Sequence, residues 1–60
     1  MKKVLTEEIN GQRWNYYKFN DGTYGFNYQE NWGGVWVTVG GPDVGWSKEA
    51  LELEHDIQLR

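Results

Sequence analysis

Sixty residues with no cysteine and a net charge of −3 describe one small domain that has neither disulfides nor zinc-thiolate sites to staple it. Four Trp, four Tyr and two Phe are the compensating resource, since each ring buries roughly 150–250 Å². The mild acidity and the lack of a basic stripe disfavour a phosphate-tracking nucleic-acid binder, and no apolar run approaches the ~20 residues of a membrane helix.

The chain opens on Met1-Lys2-Lys3, and Val4-Leu5 is followed at once by Thr6-Glu7-Glu8, so no secretory leader is expected and a soluble cytoplasmic protein is the reading. The first structural signal is Asn10-Gly11, a pair suited to a type I′ hairpin turn because both central residues need positive φ. Pairing outward from it sets Glu8 opposite Arg13, Glu7 opposite Trp14, Leu5 opposite Tyr16 and Val4 opposite Tyr17. The Glu8–Arg13 cross-strand charge pair supports that register.

A second turn is expected at Asn20-Asp21-Gly22. A two-residue loop at Asp21-Gly22 would place Tyr17 opposite Phe26 and Arg13 opposite Glu30, whereas a three-residue loop with a bulge at Gly22 shifts the third strand by one and exchanges its faces. The Arg13–Glu30 pairing favours the shorter loop. Asn31-Trp32-Gly33-Gly34 marks a third turn, and Val35-Trp36-Val37-Thr38-Val39 alternates as a strand. Gly40-Gly41-Pro42-Asp43 is expected to break the sheet.

Ser47 reads as the N-cap of a closing helix, with Trp46 and Leu51 at the two positions of a hydrophobic staple. Ala50, Leu53 and Ile57 make a narrow apolar stripe expected to face the sheet. The fold class is therefore α+β: a small antiparallel sheet of three to four strands (β-β-β-β-α) with one C-terminal helix packed on one face, residues 1–60 forming a single domain.

On the shorter-loop register, Val4, Tyr17, Phe19, Tyr24, Phe26, Tyr28 and the three valines share the more apolar face, where the helix should pack. Trp14, Tyr16 and Trp36 share the other. One helix is about 10 Å across and a four-stranded sheet roughly 15–19 Å wide, so nothing remains to cover the second face. Trp14, Tyr16 and Trp36 are accordingly the candidate partner-binding residues. Aromatic stacking for stability alone is the competing account of such a patch, and the contact surface is the preferred one.

Other constellations carry little chemistry. Glu52-x-x-His55 has the spacing of di-iron helices but has no companion helix, and a solvated helix face explains it; no metal or cofactor is expected. Gly40 to Ser47 approaches a phosphate-binding loop, yet Trp46 stands where the lysine belongs and Asp43 would repel phosphate. Ser47 has no base within reach, so no enzyme activity is expected. The stretch Gly45-Trp46-Ser47-Lys48-Glu49-Ala50 after a run of strands resembles the sheet-then-helix layout of integrase arm-binding domains from mobile elements, which implies a sheet inserted into DNA. That resemblance covers only the helix start and the element order, Glu49-Ala50 falls one step early, and the sheet lacks a Lys/Arg cluster.

The functional expectation is a non-enzymatic protein-binding module, a small stand-alone inhibitor or regulator of phage or mobile-element type, docking through Trp14, Tyr16 and Trp36. A nucleic-acid binder using those rings as stacking platforms and a structural homodimer are the alternatives.

Overall fold

The computed structural model describes residues 1–60. Four antiparallel strands follow one another as a meander: β1 (Lys2–Ile9), β2 (Gln12–Lys18), β3 (Tyr24–Trp32) and β4 (Val35–Trp46), and the helix α1 (Lys48–His55) closes the chain. No helix is long and apolar enough to cross a membrane.

Local turn chemistry sets most of this. Asn10 (φ 51°) and Gly11 (φ 79°) both take left-handed backbone, as a type I′ turn requires, and the register that follows pairs Glu8 with Arg13, Glu7 with Trp14 and Leu5 with Tyr16. Beyond Leu5 the pairing shifts, so that Lys3 rather than Val4 stands opposite Tyr17. The extra residue is Val4, whose side chain packs against the core instead.

The second turn overturns the expected register. Asn20, Asp21 and Gly22 all lie in the loop: Phe19 N–H donates to the Thr23 carbonyl at 2.9 Å and Gly22 N–H donates to the Phe19 carbonyl at 3.1 Å. The Asp21 carboxylate holds this three-residue loop shut by accepting from both the Thr23 N–H (2.9 Å) and the Thr23 hydroxyl (2.6 Å). Those bonds, the side-chain one foremost, lower the Asp21 pKa from its ordinary value. Gly22 supplies the positive φ (87°) of the bulge position. In consequence Tyr16 pairs with Phe26, Trp14 with Tyr28, Arg13 with Gln29 and Gln12 with Glu30. The single-residue slip moves Tyr24, Phe26 and Tyr28 onto the side occupied by Trp14 and Tyr16.

Nor does Gly40-Gly41-Pro42-Asp43 end the sheet. β4 continues through it to Trp46, with irregular steps in its pairing to β3. Pro42 is tolerated because β4 is an edge strand, where a missing donor need not break a ladder. Gly40 is required by its neighbour opposite, since a Cβ there would collide with the Tyr28 ring.

The helix begins as expected, with the Ser47 hydroxyl accepting from Ala50 N–H at 3.2 Å. Of the expected stripe only Ile57, just past the helix, packs against the core. Leu51 is fully buried, whereas Leu53 is 86% exposed and Ala50 is also exposed. Trp46 pairs with Tyr24 at the end of the sheet and packs on the same core as Leu51. That anchor turns residue 51 inward, and at about 100° per residue it carries positions 50 and 53 away.

The chain leaves the helix through Asp56 in left-handed conformation (φ 54°), with Ile57 N–H donating to the Glu52 carbonyl at 3.1 Å, the closing bond of a Schellman-type cap. Residues beyond it fold back onto the sheet. The Glu52 carboxylate accepts from Leu59 N–H at 2.7 Å, and the Tyr24 hydroxyl donates to the Arg60 carbonyl at 2.8 Å. Leu59 thereby joins Tyr16, Tyr24 and Leu51 in the core.

Candidate functional site

Residues directly opposite one another across the strands share a face. The helix side is consequently built in cross-strand rows: Leu5, Tyr16, Phe26 and Asp43; then Glu7, Trp14, Tyr28 and Gly40; then Ile9, Gln12, Glu30 and Val37; and last Trp32 with Val35. The helix lies over the first two rows. His55, expected on a solvated face, instead projects into the aromatics there. Its ring centroid is 4.5 Å from Phe26, 5.5 Å from Tyr16 and 5.6 Å from Trp14, each approached edge-on. Its Nδ1 lies 2.9 Å from the Tyr16 hydroxyl. Trp14 is stacked on Tyr28 at 4.6 Å and 23°.

Trp14 and Tyr16 are therefore brought together, and Trp36 is not. Tyr16 is buried beneath the helix and Trp14 half-buried beside it. Trp36 lies on the opposite side, where the Arg13 guanidinium carbon sits 4.1 Å from its ring centroid. The expected three-ring platform is split between the two faces, because Trp36 falls in register with Asn31 and not with the Trp14 row. The two rings on the helix side border a groove of about 330 Å³ that opens beside the helix C-terminus, with Glu7, Ile9, His55 and Asp56 around it. Burial first, and the nearby Glu7 charge second, push the Tyr16 phenol above its ordinary value of 10.0.

Past the Trp14 row, the helix side is uncovered. Ile9 is 57%, Trp32 58% and Val35 62% exposed, and all three lie on that one face. Sequence reasoning missed this surface because it assigned the valine side to the helix and Trp32 to a turn. The signal available was the pair Gly33-Gly34, which alone forms the turn (φ 62° and 91°) and lets β3 run on through Trp32.

The helix-free face is polar. Asn15, only 3% exposed, donates through its amide to Asn27 Oδ1 and to Gln29 Oε1, both at 3.0 Å, and accepts from the Thr6 hydroxyl at 3.3 Å. Gln29 continues the series by donating to the Thr38 hydroxyl at 3.3 Å. The hydrogen-bonded series thus crosses all four strands. No group of three or more His, Cys, Asp or Glu side chains is placed to hold a metal ion. Comparison of the chain with protein-family models, with curated proteins and with solved structures returned no match.

Proposed function

We propose that the protein is a non-catalytic protein-binding module, of the inhibitor or regulator kind, that docks through the uncovered end of its helix side. The observation that carries this reading is the exposure of Ile9, Trp32 and Val35 together on one face, beyond the reach of a helix of 8 residues. Trp32 and Val35 stand directly opposite each other, while Gln12 and Glu30 separate them from Ile9, the Glu30 carboxylate accepting from the Trp32 indole N–H at 3.1 Å. Exposed apolar side chains set among polar groups are a contact signature, and tryptophan is enriched among binding hot spots. Half-buried Trp14 contributes from the adjoining groove, whereas Tyr16 lies in the core beneath the helix. Trp36 lies outside this surface.

The Tyr16–His55 pair does not argue for catalysis. A phenol whose pKa is raised by burial and by a neighbouring carboxylate is a weaker nucleophile and base partner at neutral pH than an ordinary tyrosine, the reverse of an activated group.

Trp32→Ala and Val35→Asp test the reading. Both side chains are largely exposed, so the urea midpoint should stay close to wild type. Partner affinity should fall by at least about tenfold, the scale of a hot-spot loss. A partner retained at full affinity by both variants would refute the assignment. Sedimentation equilibrium on the same proteins detects the homodimer alternative, since a second copy on this face would give a mass that rises with concentration in wild type only.

A further inference from the structure

We infer that the outer edge of β1 pairs antiparallel with the β1 edge of a second copy of this chain, centred on Thr6, joining the two sheets into one. This contact is separate from the uncovered apolar end at Trp32 and Val35 and stands without it.

β1 and β4 are the two edges of the meander, and they differ in what they offer. β4 contains Pro42, which has no N–H to give, positive-φ glycines at 41 and 45, and repeated irregular steps in its pairing. An edge so interrupted is poorly suited to carry a second ladder. β1 pairs regularly from Leu5 to Ile9. Ile9 and Gln12 flank a two-residue loop and so form a hydrogen-bonded pair. Alternation along an antiparallel ladder then turns the backbone N–H and C=O of Thr6 and Glu8 outward. Beyond the bulge at Val4, Lys3 stands opposite Tyr17 and returns to the face that Thr6 and Glu8 occupy. Thr6, Glu8 and Lys3 are all exposed.

Charge identifies the occupant. Lys2-Lys3-Val4-Leu5-Thr6-Glu7-Glu8 puts both cations at one end of β1 and both carboxylates at the other. The chain's single ion pair joins Glu8 to Arg13 at 3.5 Å, which leaves Lys2, Lys3 and Glu7 unpaired. Lys2 also stands directly opposite Lys18, a like-charge pairing that costs stability. The edge therefore selects a strand with the reversed order of charges, and a second β1 run antiparallel has that order. A two-fold axis at Thr6 brings Lys3 of each copy to Glu8 of the other on the polar face, beside Arg13. On the helix side it sets Lys2 of each copy diagonal to Glu7 of the other. Lysines and a bulge ordinarily hinder an edge from pairing with arbitrary strands; a second copy brings the carboxylates that neutralise those lysines. The interface is isologous, so it closes at two copies, and with so few paired residues it is small and the dimer weak.

The test is sedimentation equilibrium of the intact protein from about 10 µM to about 1 mM, the range for a small interface. The wild-type mass should rise toward that of a dimer. Lys3→Glu and Glu8→Lys each set like charges against each other across the two-fold axis, so each variant alone should associate at least about tenfold more weakly. An equimolar mixture should regain the dimer, because Glu at position 3 of one variant then meets Lys at position 8 of the other, and Lys3 meets Glu8. Both positions are exposed, so unchanged urea midpoints should accompany these losses. In the wild type the Thr6 and Glu8 amides should exchange more slowly as concentration rises. A wild type that stays monomeric at the highest concentration, single variants that dimerise as the wild type does, or a mixture that stays monomeric would each overturn the inference. Trp32→Ala should dimerise like the wild type; loss of the dimer in that variant would put the second copy on the apolar end instead and overturn it as well.

Discussion

On the helix side, Trp14, Tyr16, Phe26, Tyr28 and Trp46 interlock around His55, whereas on the other side Thr6, Asn15, Asn27, Gln29 and Thr38 are joined by hydrogen bonds. The two sides solve the same problem, covering a small sheet, by opposite means. An apolar layer needs something to exclude water from it, and the helix with its returning tail does so for only part of the side. A hydrogen-bonded layer needs no cover, because its outward groups are satisfied by one another and by water. Surface left bare on the apolar side is therefore informative, and surface left bare on the polar side is not. This is the physical ground for placing the contact at Ile9, Trp32 and Val35.

The largest effect should come from breaking the apolar side at its centre. Leu51 is the one large side chain with no exposure at all, and its truncation removes the helix's main hold on the aromatic rows. Leu51→Ala should cost about 2–5 kcal/mol, read as a lowered urea midpoint, and should release the His55–Tyr16 hydrogen bond with it. Leu53→Ala, on the exposed side of the same helix, should change stability by less than about 0.5 kcal/mol. Equal losses would show that the helix packs as the Ala50–Leu53–Ile57 stripe suggested.

An intermediate effect is expected on the polar side. Asn15 joins three of the four strands through its amide group, yet its partners are only partly buried and water replaces it at most of them. Asn15→Ala should cost about 1–3 kcal/mol, the range for a buried polar group removed from its partners. Hydrogen exchange should quicken most in β1 and β2. A loss as large as that of Leu51→Ala would mean that the polar layer, not the aromatic one, is the core.

What could be read from residues alone divides along these lines. Asn10-Gly11, Gly33-Gly34 and Ser47 are backbone signals acting over a few residues, and the turns and the helix start form where they lie. The second loop depended on Asp21, whose carboxylate binds Thr23. Preferring the shorter loop because it paired Arg13 with Glu30 chose the wrong register, since exposed charge pairs are worth little. From that one slip followed the wrong helix face and the scattering of Trp14, Tyr16 and Trp36. The helix orientation contained its own warning. The staple residue Leu51 and the stripe of Ala50 and Leu53 lie on different sides of an 8-residue helix, and only one of them can face the sheet. Leu59 was invisible because its burial depends on the carboxylate of Glu52 catching its backbone N–H, a contact between a helix and the tail that follows it.

The smallest effect belongs to Trp36, which the sequence placed beside Trp14. Its ring lies over the Arg13 guanidinium at 4.1 Å, an interaction worth about 0.5–1 kcal/mol at a half-exposed site. Beneath it, Arg13 Nε is buried without a hydrogen-bond partner. Truncating the indole removes the cation–π contact but admits water to that nitrogen, and the second change offsets part of the first. Trp36→Ala should therefore lower stability by less than about 1 kcal/mol. Partner affinity should hold, because the ring is on the face opposite Trp32. Trp14→Ala, by contrast, empties the space between Tyr28 and His55 and should approach the ~3 kcal/mol lower end of buried aromatic truncations. Denaturant midpoints for the two variants, measured with partner affinity, decide the matter. A Trp36→Ala protein that folds normally but no longer binds would move the contact to the polar face and return the amide series, with Trp36 at its margin, as the docking surface.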